Sequence, residues 1–153
     1  ETDEFVATYW THNPTLGTDT DIHISWGTPD GMSWTEPMGT GVSGQHCMPI
    51  PLGGDRVMFV YPDRKVLNGI GASLSGDFGT TWDDAPQLSV YESSVGTESG
   101  AHGKRSQQEL WDDMKVWRFG HPRGVLLPTG EVLVVFYAGD DKFLDIRWAR
   151  IAA

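Results

Sequence analysis

Histidine, arginine, tyrosine and aspartate side chains recur where the apolar segments of this sequence begin or end. His121 and Arg123 lie two residues apart in the otherwise apolar segment 121–127, where a charged side chain needs a partner. A guanidinium group can hold a carboxylate through two parallel hydrogen bonds, and an imidazole can transfer protons near neutral pH. Alternate residues of a strand point to the same side, so we expect both side chains to face one site.

Repeated apolar segments must position these side chains. Three of them end in a tyrosine, at Tyr9, Tyr61 and Tyr137, and each is rich in β-branched and aromatic residues between glycine or proline, which predicts buried strands. We call these segments B strands, and they are 3–9, 55–61 and 131–137. C strands are predicted after them, at 21–26, 70–75 and 144–150, and A strands before two of them, at 47–51 and 121–127. D strands are predicted after two of the C strands, at 35–42 and 87–91.

A turn sequence recurs between the C and D strands. Residues 75–82 read S-x-D-x-G-x-T-W, and a shorter copy occupies residues 28–34. The hydroxyl and the aspartate can bond the backbone of a tight turn, the glycine accepts a positive φ, and the tryptophan can bury a large apolar face. The motif resembles the Asp box, or bacterial neuraminidase repeat, of sialidase-like β-propellers. In that family the box is structural and joins the third and fourth strands of a blade.

The strand succession B-C-D, A-B-C-D and A-B-C, together with this resemblance, implies an all-β fold. The chain would supply two and a half to three four-stranded blades of a six-bladed ring. We expect blade segments at residues 1–44, 45–92 and 120–153, and a long loop at 93–119 that contains a short helix within 106–117. Another segment, another chain or a symmetry mate would complete the ring. A small self-contained β-sandwich is the alternative fold.

Composition limits the classes of partner. The net charge of −10 argues against nucleic acid and anionic membranes, yet a few arginines can still hold an anionic sugar locally. The single cysteine, Cys47, permits no internal disulfide, and no nucleotide, zinc-cysteine or other cofactor motif is found, so neither a metal nor a cofactor is expected. The cytoplasm, the periplasm and secretion are all compatible with the sequence, and the latter two are favoured.

In sialidase-like propellers the starts of the A strands and the ends of the B strands meet at the mouth of a central tunnel. The resemblance therefore gathers there Gln45, His46, Arg118, His121, Arg123, Tyr61, Asp63, Arg64, Tyr137, Asp140 and Asp141, with His12 and Asn13 from the first blade. Among these we assign His121, Tyr137 and Asp140 to catalysis. Substrate binding is assigned to Arg123, Arg118, His46, Tyr61 and Arg64. The alternatives are packing for the two tyrosines and solvated turns for Asp63–Arg64 and Asp140–Asp141.

The resemblance implies a carbohydrate-active protein, with a glycan as substrate and another propeller segment or chain as partner. That family holds a sialic-acid carboxylate with three arginines and uses a Tyr–Glu nucleophile pair and an aspartate acid/base. Arg123 and Tyr137 are the candidates for two of these roles, although Arg123 follows a proline and Tyr137 precedes Ala138 in place of serine. We expect a glycoside hydrolase acting on an acidic or complex glycan. A lyase, a non-catalytic glycan-binding propeller and a scaffold are the alternatives.

Overall fold

The computed structural model describes residues 4–82, 88–94 and 117–153, and every regular element in this part of the chain is a β-strand. The predicted all-β class is confirmed. The strands form three larger antiparallel sheets and one two-stranded hairpin. The helix expected within 106–117 and most of the loop 93–119 lie outside the described residues. Within those same limits the chain has no helix long and apolar enough to span a membrane.

The first sheet has the strand order β1-β4-β5. Its strands are β1 (Phe5–Tyr9), β4 (Asp21–Gly27) and β5 (Met38–Ser43). A short hairpin, β2 (His12–Asn13) and β3 (Thr18–Asp19), which the sequence did not predict, lies between β1 and β4 along the chain.

The second sheet has the order β6-β7-β8-β9 and the third the order β10-β11-β12. The second consists of β6 (Met48–Gly53), β7 (Arg56–Asp63), β8 (Gly69–Ser75) and β9 (Leu88–Glu92). The third consists of β10 (Phe119–Leu126), β11 (Glu131–Gly139) and β12 (Leu144–Ala152). The three orders agree with the predicted succession B-C-D, A-B-C-D and A-B-C.

The second sheet packs between the other two, so both of its faces are buried. Along β7, Val57, Phe59 and Tyr61 belong to an apolar core shared with the first sheet. Met58 and Val60 alternate to the opposite face and belong to a core shared with the third sheet. This alternation explains why β7 is a nearly continuous apolar run, because each of its faces meets a neighbouring sheet.

The third sheet differs by one residue from the predicted alignment of the three tyrosines. Tyr61 faces the sheet that precedes its own, whereas the residues of β11 that face the preceding sheet are Val134, Phe136 and Ala138. Tyr137 alternates to the other face, and Phe136 takes the place that corresponds to Tyr61. A slip of one residue along a strand exchanges its two faces, which pattern matching along the sequence does not reveal.

The turn at residues 75–82 is closed by its own side chains. Ser75 Oγ donates to Asp77 Oδ1 over 2.7 Å, and Asp77 accepts hydrogen bonds from the Thr81 hydroxyl and backbone N–H at 2.6 and 2.9 Å. The bonds from Thr81 and Ser75 lower the pKa of Asp77 to about 2. Trp82 Nε1 donates to the Gly79 carbonyl, and the Trp82 ring stacks on Phe59 with centroids 3.7 Å apart.

The shorter copy repeats this arrangement in the first sheet. Thr28 Oγ1 donates to Asp30 Oδ1 over 2.6 Å, and Trp34 Nε1 donates to the Gly31 carbonyl over 3.0 Å. The two tryptophans differ in burial: Trp82 is 6% exposed and Trp34 is 46% exposed. The two turns therefore make the same kind of internal hydrogen bonds, but Trp82 is covered by neighbouring residues and Trp34 is partly open to solvent.

Candidate functional site

Five predicted site residues from the second and third sheets lie together. The rings of His46 and His121 have centroids 4.8 Å apart, and those of His121 and Tyr137 are 5.7 Å apart. Arg64 hydrogen-bonds Tyr137, and the charges of Arg64 and Arg123 act on His46. We call His46, Arg64, His121, Arg123 and Tyr137 the cationic cluster. Chain segments far apart in sequence thus contribute arginine, histidine and tyrosine side chains to one place.

A β-bulge in β10 sets the position of His121. The register of β10 against β11 shifts between Gly120 and Arg123, and His121 has a φ of 48°. A bulge re-aims the side chains beside it, so the strict alternation expected for His121 and Arg123 does not hold here. Gly120 has a separate role, because a Cβ on it would lie 2.9 Å from the Tyr137 hydroxyl oxygen. Glycine at this position lets Tyr137 rest against the backbone of β10.

Arg64 is buried and binds groups of the protein itself. One terminal guanidinium nitrogen donates to the side-chain oxygen of Gln45 and the other to the backbone carbonyl of Phe119. Its guanidinium carbon lies 3.9 Å from the centre of the Trp117 ring. Burial lowers the pKa of Arg64 to about 10, so the group still carries its charge at neutral pH. Arg64 therefore joins the start of β10 to the second sheet and brings a positive charge to the cluster.

His46 is neutral at neutral pH. Burial, and then the charges of His121, Arg64 and Arg123, lower its pKa to about 4. Its Nε2 atom is buried and has no hydrogen-bond partner among the residues that the structure describes. A bound anion would offset the neighbouring positive charges and favour the protonated imidazole.

Tyr137 is a neutral phenol that can donate a hydrogen bond. Burial raises its pKa, and the charge and hydrogen bond of Arg64 oppose that effect without reversing it. A tyrosine whose pKa is raised is poorly prepared to act as a nucleophile, since attack requires the phenolate. Its geometry suits donation to an oxygen placed near His121.

Polar contacts continue from the cluster to the β2–β3 hairpin. Gln45, the partner of Arg64, donates to Asp19 Oδ2 over 3.4 Å, and Asp19 Oδ1 lies 2.9 Å from His12 Nδ1. Lys65 Nζ donates to the Asp19 carbonyl over 2.6 Å. The predicted first-blade residue His12 is thereby linked to the cluster through Asp19, which the sequence analysis did not single out.

Two tryptophans beside the cluster were also missed as site residues. The rings of Trp10 and Trp117 have centroids 6.1 Å apart, and Trp117 covers Arg64. The sequence analysis placed Trp117 only at the end of the predicted helix, although it lies directly before the predicted site residue Arg118. Both rings are half-buried, so part of each remains open to solvent beside the cluster.

Tyr61 lies away from the cluster and has no exposed surface. Its hydroxyl is 2.8 Å from Ser73 Oγ, and its ring lies in the core between the first and second sheets. The predicted role of Tyr61 in substrate binding does not fit this position, because a strand buried on both faces offers no surface to a ligand. Packing within the repeat is the role that fits.

Arg118, Asp140 and Asp141 lie near the end of β11, and Asp63, at the end of β7, begins a separate turn. Asp140 Oδ1 accepts the backbone N–H groups of Lys142 and Phe143 at 2.7 and 3.0 Å, and these bonds lower its pKa. Asp140 is thus held ionised and is unsuited to act as a general acid at neutral pH. Arg118 Nε and Nη2 both lie 2.9 Å from Asp141 Oδ1. The buried Asp63 accepts the backbone N–H of Lys65 over 2.9 Å, as a turn residue does.

Metal binding finds no support in the described ranges, which contain no group of three or more histidine, cysteine or acidic residues placed to hold an ion. Cys47 is half-buried, and burial raises the pKa of its thiol to about 12, so it is protonated at neutral pH. The arginine, histidine and tyrosine side chains of the cationic cluster offer hydrogen bonds and positive charge.

No family model, no curated protein and no solved structure matches this chain.

Proposed function

We propose that this chain is part of a sialidase-like β-propeller and that its cationic cluster binds the carboxylate of an acidic sugar. The observation that carries the proposal is the convergence of His46, His121, Arg123 and Tyr137 beside the buried charge of Arg64. The chain as a whole has a net charge of −10, so its composition alone does not explain why arginines and histidines cluster at one place. Binding of an anionic ligand explains this clustering.

The packing of the sheets supports the propeller. Consecutive segments of the chain form consecutive antiparallel sheets, and the middle one is covered on both faces by its neighbours. Asp-box turns follow the third strand in the middle sheet and the corresponding strand in the first sheet. A sandwich of two sheets would leave one face of each exposed, which is not the arrangement of the second sheet.

Each residue of the cluster has a distinct part in the proposed site. Arg123 uses one N–H to bond the Pro122 carbonyl over 3.0 Å, and its guanidinium has further donors for a carboxylate. His121 is exposed beside it, and Tyr137 donates a hydrogen bond to a sugar oxygen. Arg64, which is buried and bound to protein groups, positions Tyr137 and Phe119 and contributes charge.

Glycoside hydrolysis is the second candidate, and one observation favours it. His121 lies against Tyr137, and an imidazole next to a phenol can exchange protons with it. Cleavage of a glycosidic bond normally needs two carboxyl groups on either side of that bond. Within the described residues, Asp63 and Asp140 bond turn backbone and Asp141 bonds Arg118. A hydrolase would need other carboxylates beside the cluster, so binding is the function that the geometry supports best.

Replacing Arg123 by lysine is expected to weaken acidic-sugar binding about tenfold or more, because lysine keeps the charge and loses the planar fork that holds both carboxylate oxygens. The measurement is isothermal titration of the chain with sialic acid and glucuronic acid, and with their methyl esters as neutral ligands. Arg118→Lys is the matched control and should retain the affinity, since Arg118 is paired with Asp141.

The proposal fails if acid and ester bind equally, or if neither binds. Equal losses in the Arg123 and Arg118 variants would place the carboxylate elsewhere. Release of an aryl group from arylglycosides of the same acidic sugars would establish hydrolysis in addition to binding.

A further inference from the structure

The third sheet carries an exposed apolar face on the side turned away from the second sheet. Leu144, Ile146 and Trp148 of β12 lie on it, and all three side chains are more than half exposed. Their paired neighbours on β11 are Gly139, Tyr137 and Val135. Contiguous apolar surface of this kind on a folded protein marks an interaction surface.

This face repeats the strand pairing of a face of the first sheet that is covered, with isoleucine and tryptophan two residues apart on one strand of each. In the first sheet Ile24 pairs with Thr8 and Trp26 pairs with Val6. The third sheet pairs Ile146 with Tyr137 and Trp148 with Val135 in the same spacing. Ile146 and Trp148 thus occupy the positions that Ile24 and Trp26 occupy in the first sheet.

In the first sheet these positions bind an Asp-box turn. Trp26 Nε1 donates to the Phe78 carbonyl over 2.8 Å, and Ile24 is wholly buried in the core with Trp82. Ile24 also lies so close to Gly79 that a Cβ on that glycine would be 2.7 Å from its Cδ1 atom. The partner that fits this kind of face is therefore a sheet that presents an Asp-box turn.

The chain itself holds a second Asp-box turn whose corresponding side is uncovered. The turn at 75–82 buries Trp82 because Ile24 and Trp26 of the preceding sheet lie over it. The turn at 28–34 makes equivalent internal bonds, yet Trp34 stays nearly half exposed. One chain thus carries both halves of the sheet-to-sheet contact, one at each end of its stack of sheets.

We propose that two copies of this chain associate head to tail, with the Ile146–Trp148 face of one copy covering the 28–34 turn of the other. Trp148 Nε1 would donate to a backbone carbonyl of that turn, as Trp26 does to Phe78, and Ile146 would pack where Ile24 packs. The contact is heterologous, and it closes into a ring when the rotation between copies allows it. The inference rests on sheet packing and does not require a bound sugar, although Tyr137 lies on this face as well as in the cationic cluster.

Ile146→Asp tests this surface, with Val66→Asp as its control, because both side chains are 74% exposed and only Ile146 lies on the proposed contact. Sedimentation velocity over a range of protein concentrations is expected to show a dimer or larger ring for the unmodified chain and for Val66→Asp, and a monomer for Ile146→Asp. Circular dichroism melting of all three proteins checks that the substitutions leave the fold intact.

A cysteine cross-link identifies the surfaces that meet. Ile146→Cys and Met32→Cys are placed in separate proteins, and oxidation should join them when the two are mixed far more than in either protein alone. The native Cys47 is half-buried, and a pKa raised to about 12 keeps its thiol protonated and slow to oxidise near neutral pH. A monomeric unmodified chain overturns the proposal. An oligomer that survives Ile146→Asp, or one in which mixing adds no cross-link, overturns it equally.

Discussion

Replacing Trp82 by alanine is expected to lower the free energy of unfolding by about 3–5 kcal/mol, the largest single effect we anticipate in this chain. Trp82 is buried in the core between the first and second sheets, where it stacks on Phe59 and bonds the Gly79 carbonyl. Alanine would leave a cavity between two sheets and release the turn that closes β8. Chemical denaturation followed by circular dichroism gives the free energy.

Trp82→Phe separates ring packing from the hydrogen bond. Phenylalanine keeps an aromatic ring against Phe59 and loses only the N–H donor and part of the ring volume, so a cost of about 1–2 kcal/mol is expected. Equal costs for the alanine and phenylalanine variants would mean that the hydrogen bond, and not the packing between the sheets, gives Trp82 its importance.

Replacing Arg64 by alanine is expected to cost about 3 kcal/mol of stability or more and to abolish acidic-sugar binding. The substitution removes the guanidinium that donates hydrogen bonds to the Gln45 side-chain oxygen and the Phe119 carbonyl. Each buried acceptor left without a donor costs about 1–3 kcal/mol. The contact with Trp117 and the bond to Tyr137 are lost as well. Denaturation and isothermal titration measure the two effects.

Arg118→Ala is the matched arginine control. Its partner Asp141 is 76% exposed, and an exposed pair of this kind contributes about 1 kcal/mol or less. If Arg64→Ala were as mild as Arg118→Ala, the contacts of Arg64 would carry little energy and its proposed role in positioning Tyr137 would fail.

The strands could be predicted because their pattern is local. The run 57–61 is apolar without interruption, and the structure places it within β7 between two sheets, where both faces are buried. The turn at 75–82 also contains its own bonding partners, so Ser75, Asp77 and Trp82 describe its geometry without reference to the rest of the chain. Strands and turns whose contacts are local in this way can be predicted from a single sequence.

The site could be predicted only in part, because its contacts join distant segments. Arg64 reaches the Phe119 carbonyl 55 residues away, and no pattern near either residue records that bond. The bulge between Gly120 and Arg123 and the one-residue shift of Tyr137 relative to Tyr61 depend on how two strands pair. The bulge changes the faces of side chains in β10, and the one-residue shift puts Tyr137 on the opposite face of its sheet from the one that Tyr61 takes in its own.

The most direct test of the central claim is the titration of the His46 and His121 imidazoles by NMR, with and without an acidic sugar. In the free chain His46 has a pKa of about 4, lowered by burial and by the neighbouring positive charges. A carboxylate bound at the cluster offsets those charges, so the pKa of His46 should rise and binding should tighten as the pH falls from neutrality towards that pKa.

The methyl ester of the same sugar, which has no charge, should leave the titration of His46 unchanged. Imidazole signals that move with the acid and stay still with the ester are the result this account predicts. Imidazole signals that do not shift with the acidic sugar up to its solubility limit, or that shift equally with the acid and the ester, would contradict carboxylate binding at the cluster.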